Sequence, residues 1–127
     1  MVFKGTYAGY SKLIGDGIIH QRMMTIDPEN KQIKITDKID GRNKHKVQSY
    51  IHIHPDFQLK PGNRGIDLMN INTKFIIIPY GVNNYRIEKG MYSPWFGYNK
   101  EKDVIVLGGE KLLPTQISYT IDYHCNL

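Results

Sequence analysis

The chain has 127 residues, 40% of them hydrophobic and 23% charged, which suits one globular domain with a core of its own. No stretch approaches the roughly 18 consecutive apolar residues of a membrane helix, and the opening MVFKGTYAGYSK carries no apolar signal core. The single cysteine, Cys125, excludes an internal disulfide framework and a cysteine-based zinc ribbon, and is expected to be an ordinary tail residue. A formal charge of +5 favours anionic partners without choosing among them.

Taken in chain order, the first dozen residues are rich in Gly and Tyr and lack a clear period. They read either as an edge strand or as a surface left by an absent neighbour. A strand is predicted around Ile18 to Ile26, closed by the turn residues Asp27-Pro28-Glu29-Asn30. Ile33 and Ile35 then alternate with Gln32, Lys34 and Thr36, a period of two that marks a strand. After Asp40-Gly41-Arg42-Asn43, Val47, Ile51 and Ile53 share one strand face, opposite Lys46, Gln48, His52 and His54. Pro61-Gly62-Asn63-Arg64-Gly65 and Val82-Asn83-Asn84 are further turns. Between them, Phe75 to Ile78 is continuously apolar, as a strand buried on both faces would be. Val104 to Leu107 reads the same way, with Gly108-Gly109 as a turn after it. In the last strand Ile117, Tyr119, Ile121 and Tyr123 alternate with Gln116, Ser118, Thr120 and Asp122, predicting one packed and one wet face. No helical period runs for a useful length. The expectation is an all-β chain with almost no helix, a single antiparallel two-sheet β-sandwich over residues 1–127.

Several groups invite a chemical reading. Lys38 to Lys46 is the densest basic stretch, and a solvated hairpin is its default. His52 and His54 lie two residues apart on one strand face, where a metal needs a third ligand from His20, His45, His124 or Asp56. Nothing in the sequence fixes that ligand, so hydrogen-bonded or packed histidines are the expectation and no metal site is assigned. Tyr92, Trp95, Phe96 and Tyr98 crowd around Pro94, either as a stacking platform for sugar rings or, the favoured reading, as a plug for one end of the core. Asp37 shares a face with Ile35 and Ile39, and a buried carboxylate requires a donor or cation. Arg22 on the preceding strand is the expected partner. Gly15-Asp16-Gly17 and Gly108-Gly109 do not sit between a strand and a helix, so neither is a phosphate cradle. No Ser/His/Asp or Cys/His arrangement stands out.

The order of short motifs carries a resemblance. Gly9-Tyr10-Ser11-Lys12-Leu13 precedes Ile19-His20-Gln21-Arg22 and Ile35-Thr36-Asp37-Lys38-Ile39-Asp40-Gly41. Then come Tyr50-Ile51-His52-Ile53-His54-Pro55, Gly90-Met91-Tyr92-Ser93-Pro94-Trp95-Phe96-Gly97 and Leu112-Leu113-Pro114. The series resembles the later β-strands of heparinase II/III-like polysaccharide lyases. That resemblance implies β-elimination on acidic polysaccharides by a parent protein. It also implies an N-terminal α/α toroid carrying the catalytic tyrosine and Asn or His, and an earlier histidine-rich β-segment that in some members helps hold zinc. None of those motifs is present here. The expectation is therefore a non-catalytic C-terminal sandwich with no catalytic residue and no cofactor of its own, zinc belonging to a full-length parent. Its expected partners are an acidic polysaccharide and the toroid, with no nucleic acid and no membrane. Arg42, Lys44 and Lys46 are the candidate charge contacts, and Tyr92 and Trp95 the candidate stacking contacts. A free-standing carbohydrate-binding or partner-binding module is the alternative. The compartment is left open, periplasmic or extracellular if the parent carries a signal peptide.

Overall fold

The computed structural model describes residues 1–7, 15–81 and 85–124. The chain forms ten strands: β1 (Val2–Tyr7), β2 (Ile19–Asp27), β3 (Gln32–Asp40), β4 (Lys44–His52), β5 (Gln58–Pro61), β6 (Ile66–Met69), β7 (Lys74–Tyr80), β8 (Tyr85–Tyr92), β9 (Lys100–Leu112) and β10 (Thr115–His124). No helix occurs among the described residues. All strand pairs are antiparallel, in a seven-stranded sheet of order β1-β2-β3-β10-β7-β6-β5 and a three-stranded sheet of order β4-β9-β8. The expected antiparallel β-sandwich is what the chain forms.

The core lies between the two layers. Ile66, Ile77, Ile105, Leu107 and Ile117 are almost fully buried in it, with Ile35, Ile53, Leu68 and Tyr119 around them. Each such aliphatic side chain contributes about 1.5–3 kcal/mol by leaving water. A smaller cluster of Ile18, Ile39 and Leu113, with Val47 packed on it, closes one end. Val104 to Leu107 are buried throughout, as the continuous apolar run predicted.

The layers are unequal in width. At about 4.8 Å per strand spacing, seven strands span about 29 Å and three about 10 Å. Among the described residues, the short layer therefore leaves part of the long one without a facing strand. β1 is exposed along its whole length. It is an edge strand of the long sheet, one of the two readings that the sequence of the first dozen residues left open.

Three sequence expectations need correction. Gly108-Gly109 does not turn the chain but lies inside β9. There Gly108 has φ of 103°, and a Cβ on it would sit 2.3 Å from the Val47 carbonyl oxygen. The glycine permits a close backbone approach between β9 and β4. The second face of β10 is not wet: Ser118, Thr120 and Asp122 are buried. β10 is the middle strand of seven, so its short side chains lie between longer neighbours, and Arg64 reaches Asp122 at 2.8 Å. Nor does the aromatic segment plug the core. Trp95 is 64% exposed and Phe96 fully so, because the segment after β8 runs outside both layers. The motif Gly9 to Leu13 and the predicted turn Val82-Asn83-Asn84 lie outside the described residues, as does Cys125.

Candidate functional site

A cleft of about 300 Å³ opens between the sheets where the short layer ends. One wall is β4 from His45 to Tyr50, the unpaired edge of its sheet; the other is β2 and β3 with His20, Arg22, Asp37 and Ile39. Strand register explains the grouping. Arg22 faces Asp37 across β2–β3, and Asp37 faces Ile117 across β3–β10, so all three project to the inner face.

Asp37 is 5% exposed. Its Oδ1 accepts from Arg22 Nε at 2.8 Å and lies 2.7 Å from His20 Nε2, and its Oδ2 accepts from Arg22 Nη2 at 2.9 Å. Burial pushes the carboxyl up, but the hydrogen bonds from Arg22 and His20 outweigh it and hold Asp37 below its ordinary value. The same ion pair raises Arg22. An ionised carboxylate only accepts, so His20 carries its proton on Nε2 in this pair. The expected Arg22–Asp37 partnership is thus present, with His20, which the sequence offered only as a possible metal ligand, as a further donor.

A second linked group fixes the end of the cleft. Asp16 Oδ2 lies 2.8 Å from His45 Nε2, its Oδ1 accepts from Asn43 Nδ2 at 3.1 Å, and its carbonyl accepts from Arg42 N at 2.9 Å. The His45 hydrogen bond is the main reason that the Asp16 carboxyl lies below its ordinary value. These bonds tie the Gly15–Gly17 turn to the β3–β4 turn.

Between them, on the inner face of β4, Ser49 is 7% exposed, and its hydroxyl has no hydrogen-bond partner among the described residues. It too lines the cleft. A buried hydroxyl without a partner is unfavourable by about 1–3 kcal/mol. Its position was readable in outline, since Ser49 interrupts the inward series Val47, Ile51, Ile53; that it lacks a partner was not.

The candidate contacts divide into two groups. Arg42, Lys44 and Lys46 sit together in the β3–β4 turn and the start of β4, all exposed, with Lys46 lining the cleft. Tyr92 ends β8, and Trp95 follows it. Lys44 pairs with Leu112, and Tyr92 with Lys100, so the length of β9 separates them, about 40 Å at 3.3 Å per residue. The basic and aromatic candidates are therefore at opposite ends of the short sheet. Tyr92 packs edge-on against His54 at 4.7 Å, whereas Trp95 stacks on Tyr98 at 4.6 Å.

His52 ends β4 and is exposed. His54 Nδ1 accepts from Asp56 N at 3.1 Å and lies 3.5 Å from the Asp56 carboxylate. Among the described residues no three His, Cys, Asp or Glu side chains come together as metal ligands. The side chain of His124, one of the candidate third ligands, lies outside the described residues.

An antiparallel β-sandwich with one layer much narrower than the other, carrying a polar cleft at the open side, is the class of domain so defined. The family model "Heparinase II/III-like, C-terminal" matches residues 2–120, and the chain belongs to that family. Similar solved structures include a heparinase III gene product, with a TM-score of 0.71 and 14% identity. The same product with methylated lysines gives 0.65 and 14%. Each alignment covers 86% of this chain and 18% of the solved one, so the chain spans under a fifth of their length. At that identity the likeness is one of fold. No curated protein matches the sequence.

Proposed function

We propose that this chain acts as a non-catalytic β-sandwich of a polysaccharide lyase, docking on the rest of the parent protein and helping to hold an acidic polysaccharide. The observation that carries the reading is the inner face of the long sheet, part of which no described strand of the short layer covers. Phe3 pairs with Met24 and Tyr7 with His20, which places both on that face, and each is 53% exposed. Exposed apolar surface beside a strand edge that no described strand pairs favours a protein partner. The α/α toroid and the earlier β-segment of the lyases are the partners proposed for it.

The glycan part of the reading rests on charge. Arg42, Lys44 and Lys46 project from one end of the short sheet, and none of them has an ion-pair partner among the described residues. Arg in particular matches carboxylate and sulfate geometry. The test is retention on immobilised heparin at low salt, with the triple change Arg42→Ala, Lys44→Ala and Lys46→Ala beside the parent chain. The variant should elute at markedly lower salt, because exposed charge contacts are screened within about 8–10 Å. No retention of the parent chain at low salt would overturn the glycan part. The purified chain should also produce no ultraviolet-absorbing unsaturated uronate from heparin, and such product would overturn the non-catalytic part.

A second reading, a free-standing carbohydrate-binding module, is favoured by the exposed pair Trp95 and Tyr98 with Tyr92 nearby in sequence. Trp95→Ala separates the two: loss of neutral-oligosaccharide binding supports the module, and unchanged binding supports charge.

A further inference from the structure

We propose that β8 is a self-pairing edge: two copies of this chain join antiparallel along β8 about a two-fold axis at Ile87, continuing the three-stranded sheet into one of six strands. This contact uses neither the basic residues of the β3–β4 turn nor the face that carries Phe3 and Tyr7.

β8 pairs with β9 alone, so its other edge meets no described strand. It is eight residues long and holds no proline. β5, at one edge of the long sheet, has four residues and ends on Pro61, and shortness and proline are both devices that blunt an edge. Tyr85 to Lys89 are exposed on both faces of β8, so the strand overhangs the layer beneath it and leaves room for another beside it. Tyr85, Ile87 and Met91 share one face and are 37%, 41% and 58% exposed. A strand laid against them covers apolar surface.

Unbalanced charge keeps many edges apart, but the charges of β8 are balanced. Lys89 Nζ lies 2.6 Å from Asp103 Oδ1 and 3.5 Å from Glu101 Oε1. Arg86 Nε donates to Glu88 Oε1 at 2.7 Å. Gln48 of β4, with its amide turned to satisfy both ends, accepts from Arg86 Nη1 and Nη2 at 2.9 and 3.1 Å and holds the guanidinium on the outer face.

These charges also select the register. Residues that face each other across an antiparallel two-fold axis lie equally far on either side of it, and like charges directly opposite are destabilising. An axis at Arg86, Glu88 or Lys89 sets a charge against its own copy, and one at Gly90 opposes two glycines. An axis at Ile87 sets Arg86 against Glu88 of the second copy and Glu88 against its Arg86. Ile87 then packs on its own copy, and Tyr85 lies beside Lys89 of the other chain. β4, the other edge of this sheet, holds Lys44 and Lys46 but no carboxylate, so it has no such complementary register.

Two short strands bury little area, so the dimer is weak, and sedimentation equilibrium of the intact chain at low salt must extend to about 1 mM. The chain should self-associate with a dissociation constant below about 1 mM. Arg86→Glu and Glu88→Arg each set like charges together at two places and should weaken self-association at least about tenfold. Both side chains are about half exposed, so the melting temperature should stay close to that of the parent chain. An equimolar mixture of the two variants restores opposite charges at both places and should form the mixed dimer. The double change Arg86→Glu with Glu88→Arg should recover self-association. A chain that stays monomeric at about 1 mM overturns the proposal. So do single variants that associate like the parent chain, which would place the contact elsewhere, and a mixture that forms no mixed dimer.

Discussion

Arg22 and Asp37 face each other across the β2–β3 pair and are joined by two hydrogen bonds of 2.8 and 2.9 Å, at the point where the long sheet emerges from under the short one. The carboxylate is buried while the guanidinium is half exposed. The pair thus anchors a charge in the core and presents the rest of its donors to the cleft.

Removing the cation leaves the buried carboxylate with His20 alone. Arg22→Met should destabilise the chain by about 2–3 kcal/mol, less than a fully buried pair because the arginine is part-solvated. In urea titrations the double change Arg22→Met with Asp37→Leu should recover much of that loss. A double variant no more stable than Arg22→Met would show that the ion pair is not what the site requires.

Stability should also follow pH in a set direction. Asp37 is depressed in the folded chain, so its contribution is fully present above the ordinary carboxylate value of about 3.9 and is lost as pH falls through its lower folded value. Urea midpoints measured from pH 6 down to pH 2.5 should therefore drop more steeply for the parent chain than for Asp37→Asn. Parallel curves would remove Asp37 from the acid response.

Gly108 is predicted to be intolerant. With φ of 103° and the Val47 carbonyl oxygen 2.3 Å from a would-be Cβ, Gly108→Ala must strain β9 or push β4 away. A loss of about 1–3 kcal/mol is expected in thermal or urea unfolding. Gly109→Ala next to it meets nothing within 4 Å and should be far milder. Equal effects at the two positions would contradict the close approach.

The only tryptophan should be a poor reporter of the core. Trp95 is 64% exposed and stacked on Tyr98 outside both layers, so Trp95→Ala should change stability by under about 0.5 kcal/mol. Its emission in the folded chain should already be that of a solvated indole and quench readily with acrylamide. Strong protection from quencher would mean that the aromatic segment packs inward after all.

Local chemistry was legible where it is local. The period-two pattern located most of the strands, the turn residues Asp27 to Asn30 close β2 through Asp27 side-chain bonds to Asn30, and Asp37 called for a cation that Arg22 supplies. The cleft was not legible, because its walls come from residues 18–22, 37–39, 45–50 and 113–117, brought together by sheet order alone. His20 and Ser49 carry no local sign of these roles: one joins Asp37 through register, and the other is conspicuous only because no described residue bonds its hydroxyl.

By itself, then, the sequence determined that the chain is all β, where its main strands run, and which family its motifs belong to. Alternation of side chains is a property of each strand alone, and so it survives in one dimension. Only the tertiary structure decided that seven strands face three, that Gly108 lies against Val47, that Ser118 is buried and Trp95 is not, and that Arg42 and Trp95 lie at opposite ends. Those outcomes depend on which strands become neighbours and how wide each layer grows, and pairing between distant segments leaves no period in the sequence.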